Sequence, residues 1–169
     1  MSETRIEPAI VEDLPELAEL LADLFSKEAD FRPDQAKQLR GLRMILEQPN
    51  KGRIFVLRCH DRLMGMINLL FTISTAEGGA VIILEDLIIR QEFRSHGYGA
   101  QLLAYALDFA RQKDFQRITL LTDRLDEPAK HFFHRHGFHE SGMVPMRWLL
   151  QHPGVRPLAV GTGEIPADE

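Results

Sequence analysis

The chain has 169 residues, of which 44% are hydrophobic and 27% are charged, with a formal net charge of −5 and one cysteine, Cys59. This length and composition are those of a soluble globular domain with a core of useful size. The net negative charge argues against a general nucleic-acid-binding surface. A single cysteine excludes an intrachain disulfide and any cysteine-cluster metal site.

The N-terminal segment MSETRIEPAIVEDLPEL lacks the basic start and the apolar run of a signal peptide. No apolar stretch reaches the ~20 residues that a membrane-spanning helix needs. We therefore expect a cytoplasmic protein that binds neither membrane nor nucleic acid. We also expect one domain over residues 1–152 and a flexible C-terminal tail over residues 153–169, which are rich in Pro and Gly.

The first half of the chain predicts a strand, two helices and a hairpin. Residues 5–10 read as the first strand. Leucines at helical spacing follow Asp13, which predicts a helix with Asp13 as its N-cap, and a second amphipathic helix covers residues 36–46. The runs RIFVLRCH and LMGMINLLFTIS, separated by a short turn, predict an antiparallel hairpin.

The second half of the chain predicts a strand–helix–strand unit. The run AVIILEDLIIR (residues 80–90) is almost continuously apolar, as in a central buried strand, and a leucine- and alanine-rich helix follows it. Three further elements follow: a strand over 117–122, a helix over 127–137 with Gly137 as its C-cap, and a last strand over 144–150. The predicted fold is α/β, a mixed and mostly antiparallel central sheet with a parallel β-α-β core unit over residues 80–122.

Gly97 and Gly99 lie between the end of the predicted central strand and the start of the helix that follows it. The first turn of a helix presents unpaired backbone N–H groups and a partial positive charge, which favour a phosphate or pyrophosphate. The glycines allow close approach of the backbone, and Arg94 adds a charge. The pattern is neither a Walker loop nor a dinucleotide fingerprint. On these residues alone, an ordinary turn that starts a helix is the alternative.

Two segments resemble the GNAT superfamily of N-acetyltransferases. R-x-x-G-x-G at Arg94–Gly99 is similar to the family pattern [QR]-x-x-G-x-[GA], and DEPAKHFFHRHGFHE resembles N-x-x-A-x-x-F-Y-x-x-x-G-F at Ala129, Phe132, Gly137 and Phe138. The stretch LEDLIIRQEFRSHGYG is similar to the spermidine/spermine acetyltransferase branch. The resemblance covers roughly residues 5–150 and implies a GNAT fold and an acetyl-CoA-dependent N-acetyltransferase.

The resemblance also implies where the co-substrate, acetyl-CoA, binds. The pyrophosphate would rest on the backbone of the glycine turn, beside Arg94, at Ser95, His96, Gly97, Tyr98, Gly99 and Ala100. The pantetheine arm would run along the end of the central strand at Leu87, Ile88 and Ile89. Asp126, Ala129 and Phe133 would flank the cofactor from the other side. The cluster of His131, His134, His136 and His139 suggests a metal site, but no carboxylate spacing completes an H-E-x-x-H type motif, so we expect no metal.

The implied reaction is direct attack of a primary amine on the thioester in a ternary complex, which needs a base to remove the amine proton. Glu85 on the central strand is the candidate base, and Asp86 is the alternate base and a substrate-binding candidate. Side chains on a strand alternate faces, so only one of the two acids should point into a given site. The other reading is that these acids brace neighbouring loops.

Glu28 and Asp30, with Asp34 nearby, lie in the link between the first two helices, where the family builds its acceptor site. They predict a small cationic amine as the acceptor, although a solvated loop explains them equally well. The family places a proton-donating Tyr where this chain has Phe133. The alternative function is therefore a non-catalytic acyl-CoA-binding regulatory or interaction protein. A homodimer is compatible with the resemblance.

Overall fold

The computed structural model describes residues 3–27 and 33–150 of the chain. In chain order these residues form β1 (Thr4–Pro8), α1 (Leu14–Phe25), α2 (Gln35–Leu46), β2 (Gly52–Cys59), β3 (Arg62–Ser74), β4 (Gly79–Ile89), α3 (Tyr98–Gln112), β5 (Ile118–Leu120) and α4 (Glu127–Arg135). Short 3₁₀ turns at Val11–Asp13 and Gln91–Phe93 precede α1 and follow β4. The chain divides into two compact units, Met1–Glu127 and Pro128–Glu169.

The five strands of the first unit form one sheet in the order β1-β2-β3-β4-β5. The first four strands pair antiparallel, whereas β5 pairs parallel to β4. The helix α3 connects these two parallel strands, as the βαβ rule for parallel neighbours requires. The predicted mixed, mostly antiparallel sheet with a parallel β-α-β unit is confirmed.

The helices α1 and α2 cover one face of this sheet. Leu14, Leu17 and Leu21 recur at the three- and four-residue spacing that puts them on one side of α1. They join a buried cluster with further residues of α1, one residue of α2 and residues of the strands: Ala18, Leu20, Leu42, Ile54, Val56, Leu63, Met66 and Ile88. Each Leu, Ile, Val or Met side chain among them contributes about 1.5–3 kcal/mol when it is fully buried. This cluster fixes α1 against the sheet.

Aromatic rings attach α3 to the opposite face of the sheet. The Phe109 ring lies 5.2 Å from Phe55 of β2 and 6.0 Å from Phe71 of β3, between ring centroids. Phe115, just after α3, lies 4.8 Å from Phe71. Leu102, Leu103 and Ala106 of α3 are fully buried. The helix α3 is therefore packed against the sheet, and this packing fixes the position of the glycine turn at its start.

A buried ion-pair network joins β1, β2 and the start of α1. The Arg58 guanidinium donates to Glu7 Oε1 at 2.6 Å and to Asp13 Oδ2 at 2.5 Å. The hydrogen bond from Arg58 lowers the pKa of Glu7, and the hydrogen bond to Asp13 raises the pKa of Arg58. Asp13 lies at the predicted N-cap position, but its side chain does not cap α1. It accepts the Ile10 N–H and the Arg58 guanidinium instead.

Acidification should weaken the fold through Glu7. Because the pKa of folded Glu7 lies below its ordinary value of 4.5, its stabilisation is complete above that value and is lost as pH falls through the lower folded pKa. In urea unfolding between about pH 5 and pH 3, the wild type should therefore lose stability more steeply than Glu7→Gln. Glu47→Gln, which removes an exposed carboxylate after α2, should follow the wild type. Parallel wild-type and Glu7→Gln curves would contradict this assignment.

In the second unit, α4 ends in a Schellman motif. Gly137 adopts φ +91°, and its N–H donates to the His134 carbonyl at 3.0 Å. The Phe138 N–H donates to the Phe133 carbonyl at 3.0 Å, and the two phenyl rings lie 5.5 Å apart. The predicted helix over 127–137 and its glycine C-cap are confirmed, with the helix itself ending at Arg135.

The predicted strand over 144–150 is wrong, because those residues form no strand in the structure. Met146 and Trp148 are 92% and 88% exposed. Pro145 has no N–H to give to a ladder, and the apolar residues Trp148 to Leu150 are consecutive instead of alternating. Two other strands are shorter than predicted. β1 ends at Pro8 because the chain turns towards α1, and β5 covers only Ile118–Leu120.

Within residues 3–27 and 33–150, no helix is long and apolar enough to cross a membrane. The same residues contain no group of three or more His, Cys, Asp or Glu side chains arranged to hold a metal ion. The predicted tail over 153–169 lies outside the described residues, and the single domain over 1–152 stays a prediction.

Candidate active site

The strand β4 carries an irregularity at the predicted base, Glu85. Along β3, Asn68 faces Asp86 whereas Leu69 faces Leu84, so Glu85 is one extra residue with no partner on β3. This is a β-bulge, a feature that redirects side chains and is frequent beside active sites. The Glu85 side chain is exposed, while Asp86 is buried. Of the two adjacent acids, Glu85 is therefore the one that a substrate can reach from solvent.

The parallel pairing of β4 stops at the same place. β5 pairs with Ile82–Leu84 only, and in the described part of the chain no strand pairs with β4 on that side beyond Leu84. The Arg90 N–H donates to the Met64 carbonyl of β3 at 2.8 Å. Because backbone groups alternate sides along a strand, Ile88 also faces β3, whereas Leu87 and Ile89 face the open side. An extended ligand can hydrogen-bond to this open edge as a further strand.

The turn between β4 and α3 is tightly folded. Ser95 and Gly97 adopt φ of 66° and 81°, both in the left-handed region. The His96 ring lies on the turn, with Nδ1 2.7 Å from the Arg94 carbonyl oxygen. Such a conformation costs a non-glycine residue of order 1–3 kcal/mol, and it is found mostly at functional sites.

The first turn of α3 is left without a side-chain cap. Gly97 is the N-cap residue, no side chain accepts from the helix start, and the first turn carries no acid. The N–H groups of Tyr98, Gly99 and Ala100 have no acceptor within the helix. A Cβ placed on Gly97 would meet no atom within 4 Å, so the space beside the turn is open. These groups fit a diphosphate, as the sequence predicts.

Replacing Gly97 with Val should weaken CoA binding at least about tenfold, equivalent to 1.4 kcal/mol. A β-branched residue at φ +81° either strains the turn or changes its conformation, and its side chain would fill the open space. Calorimetry with CoA measures the affinity, and circular dichroism shows whether the variant is folded. Gly78→Val is the matched control, because Gly78 has φ +68° and equally open surroundings in the turn before β4. Unchanged CoA affinity in folded Gly97→Val would exclude the phosphate assignment.

The helix α1 holds the glycine turn through two arginines. Arg90 donates to Glu16 Oε2 at 2.8 Å and to the Leu63 carbonyl at 2.7 Å. Arg94 donates to Asp23 Oδ2 at 2.8 Å and to the Ile89 carbonyl at 3.0 Å. The Arg94 guanidinium thus ties the turn to α1 and to the end of β4. A contact between Arg94 and a phosphate stays a prediction.

The remaining predicted cofactor residues lie on α4 in the second unit or, for Asp126, at the end of the first unit. Ala129 and Phe133 lie on α4, and Asp126 directly precedes it. The half-buried Phe133 ring packs against Phe132 and Phe138 at centroid distances of 5.1 and 5.5 Å. Phe133 therefore belongs to the aromatic cluster that terminates α4, and a phenyl ring has no proton to donate.

The acids assigned to the acceptor have different surroundings. Glu28 and Asp30 lie outside the described residues. Asp34 accepts the Lys37 N–H at 3.2 Å, which makes it the N-cap of α2. Asp86 accepts a hydrogen bond from Asn68 Nδ2 at 2.9 Å, with both side chains buried.

The profile of the acetyltransferase (GNAT) family matches residues 14–138, from the start of α1 to the end of the Schellman motif. The chain belongs to the GNAT acetyltransferase family. The open β4 edge and the uncapped start of α3 therefore lie in an acetyl-CoA-dependent N-acetyltransferase. The finer resemblance to the spermidine/spermine branch stays a prediction.

Curated relatives and solved structures agree with this family. The GNAT chain is 27% identical over 126 residues to an uncharacterized N-acetyltransferase, YhfO, of Bacillus subtilis, covering 73% of this chain and 84% of the relative. It is 26% identical over 133 residues to an aminoalkylphosphonate N-acetyltransferase of Salmonella typhimurium, covering 79% and 83%. A possible acetyltransferase from Clostridium difficile has the same fold, with a TM-score of 0.80 at 17% identity over 88% of this chain and 99% of that one.

Sequence reasoning missed the anchors of the GNAT glycine turn. Glu16, Glu19 and Asp23 recur at i, i+3 and i+7, which places three acids on one side of α1. Arg90 and Arg94 provide the matching charges, with Arg90 also 3.5 Å from Glu19. The acidic stripe was readable in the sequence, but its partners lie about 70 residues away.

Proposed function

We propose that this GNAT enzyme transfers the acetyl group of acetyl-CoA to a primary amine of a small cationic acceptor, by direct attack in a ternary complex. One observation carries the proposal: the pairing of β4 with β5 ends at Leu84, directly before the bulge at Glu85. The open edge of β4 then leads into the glycine turn. A thioester bound along this edge would reach the bulge, where the Glu85 side chain is exposed.

In this proposal Glu85 accepts the proton of the incoming amine, directly or through one water. A protonated amine has no lone pair for attack, so a carboxylate at the break makes the amine nucleophilic. Its exposure at the bulge gives the acceptor access to it. Asp86 is too buried for this role and serves the acceptor side of the site, together with Glu28 and Asp30.

Acetyl-CoA supplies the acetyl thioester, and this chain supplies the site that binds it. Backbone groups of Leu87 and Ile89 would bind the pantetheine arm, and Ile88 anchors the strand in the core behind them. The turn from Arg94 to Ala100 would bind the diphosphate. The assignment of Asp126, Ala129 and Phe133 to the cofactor stays a prediction from the family resemblance. Phe133 stands where the family has a proton-donating Tyr, so the departing sulfur takes its proton from water or needs no dedicated acid.

The test is an amine screen with acetyl-CoA, following release of free thiol. Polyamines, amino acids, aminoglycosides, aminoalkylphosphonates and peptides cover the acceptor classes. Release above the hydrolysis rate without amine, with a cationic amine preferred, is the expected result. If CoA binds and no amine accelerates release, the transfer to amines is excluded and an acyl-CoA-binding role replaces it.

A further inference from the structure

Three buried side-chain polar atoms of the described residues have no hydrogen-bond partner: Gln38 Nε2, Gln38 Oε1 and Asn68 Oδ1. Gln38 is 7% exposed and Asn68 is 3% exposed. Buried polar groups in folded proteins nearly always have a partner, because leaving one unpaired destabilises the fold. Each of these atoms needs a partner that the chain itself does not supply, either a water molecule or a bound group.

The two amides lie in the same layer, between α1–α2 and the sheet. Gln38 and Leu42 are the buried residues of α2, one turn apart. Leu42 packs in the cluster that contains Ile54 of β2. Ile54 faces Asn68 across the β2–β3 ladder, and Asn68 faces Asp86 on β4. Directly opposed residues on neighbouring strands share a face of the sheet, so Ile54, Asn68 and Asp86 form one row across that face. The row begins at the cluster that contains Leu42 and ends at Asp86, the residue after Glu85.

The orientation of the Asn68 amide is fixed by its neighbour. Asn68 Nδ2 donates to Asp86 Oδ2 at 2.9 Å, and a carboxylate accepts hydrogen bonds only. Beside an ionised Asp86, rotating the amide would place oxygen against oxygen, so Oδ1 is the unpaired atom. A carbonyl oxygen can be satisfied only by a donor, such as a hydroxyl or an ammonium group. A hydroxyl can donate to Asn68 Oδ1 and also accept from Gln38 Nε2, whereas an anionic group offers no donor to Oδ1.

We propose that Gln38 and Asn68 form a subsite for a hydrogen-bond-donating group of the acceptor, a hydroxyl or an ammonium remote from the reacting amine. This assignment rests on the proposed function, since it makes the amine substrate the occupant. Gln38 lies in the second turn of α2, and Asn68 adjoins the bulge through Asp86. The subsite favours amino alcohols and diamines over the phosphonate-bearing amines named for the Salmonella relative.

The wild type should acetylate 1,4-diaminobutane and 4-amino-1-butanol with kcat/KM at least about tenfold above n-butylamine and 3-aminopropylphosphonate, the factor that one hydrogen bond provides. Comparison of the first two acceptors shows whether the donor is an ammonium or a hydroxyl. Gln38→Met keeps the side-chain length and removes both unpaired atoms. This variant should abolish the kcat/KM preference for 1,4-diaminobutane and 4-amino-1-butanol, and it should raise the melting temperature.

Gln35→Met is the matched control, because Gln35 is exposed on the same helix, three residues earlier. It should change neither the preference nor the melting temperature. If Gln38→Met lowers the melting temperature and keeps the acceptor preference, Gln38 is structural and the subsite is excluded. If no amine is acetylated at all, the proposed function fails, and calorimetry with 4-amino-1-butanol and CoA decides the subsite separately. Binding that Gln38→Met abolishes supports it, and no binding overturns it.

Discussion

Glu85→Gln should lower kcat by about 10²- to 10⁴-fold, the contribution of a general base, while the affinity for CoA stays unchanged. Gln has nearly the size of Glu and can remain at the bulge, but its amide cannot take the amine proton. The groups proposed to bind CoA, the edge of β4 and the turn before α3, are backbone groups that this substitution does not remove. Steady-state kinetics with a saturating amine, together with CoA calorimetry, separate the two effects.

The matched control is Glu77→Gln. Glu77 lies in the turn between β3 and β4, at the opposite end of β4, and forms an exposed ion pair with Arg117 at 3.5 Å. The control removes the same charge from the same hairpin, so its rate should equal that of the wild type. Wild-type kcat in Glu85→Gln would remove Glu85 from the reaction. An equal loss in both variants would indicate an effect of net charge instead of proton transfer.

Arg58→Met should lower the free energy of unfolding by about 3–5 kcal/mol, because it leaves a buried carboxylate without its cation. The side chains of Arg58 and Asp13 are only 8% and 7% exposed, so water cannot replace the lost partner. Glu7, at 39% exposure, stays partly solvated and adds less to the loss. Urea unfolding at neutral pH measures the difference.

Two further variants separate charge burial from packing. Arg62→Met removes an arginine of β3 whose ion pair with Glu92 is largely exposed, so it should cost only about 0–1 kcal/mol. Asp13→Asn combined with Arg58→Met should recover part of the loss, since no uncompensated charge is then buried and Asn can still accept the Ile10 N–H. If Arg58→Met alone stays within about 1 kcal/mol of the wild type, the network contributes nothing net to stability.

Local features of the structure could be predicted from the sequence. Helical leucine spacing located α1, the two glycines located the turn before α3, and Gly137 located the end of α4. Each depends on residues within a few positions of one another, through side-chain periodicity or a backbone conformation that glycine favours. The same local motifs, in this order, were enough to indicate the family that the profile match then showed.

The details that make the site were decided by tertiary structure. Nothing in LEDLI marks Glu85 as the residue of the bulge, because a bulge is a mismatch in register between β4 and β3. Three further details likewise depend on residues far apart in the chain: the end of pairing at Leu84, the ion pair of Arg94 with Asp23, and the unpaired amide atoms of Gln38 and Asn68. The strand predicted at 144–150 failed for the same reason, since a strand exists only where a partner accepts its hydrogen bonds. The sequence by itself determined the order of the four helices and the first five strands, and where the glycine turn lies. Only the packing of distant segments decided which polar groups are paired, buried or left open, because pairing and burial are properties of two surfaces and not of one segment.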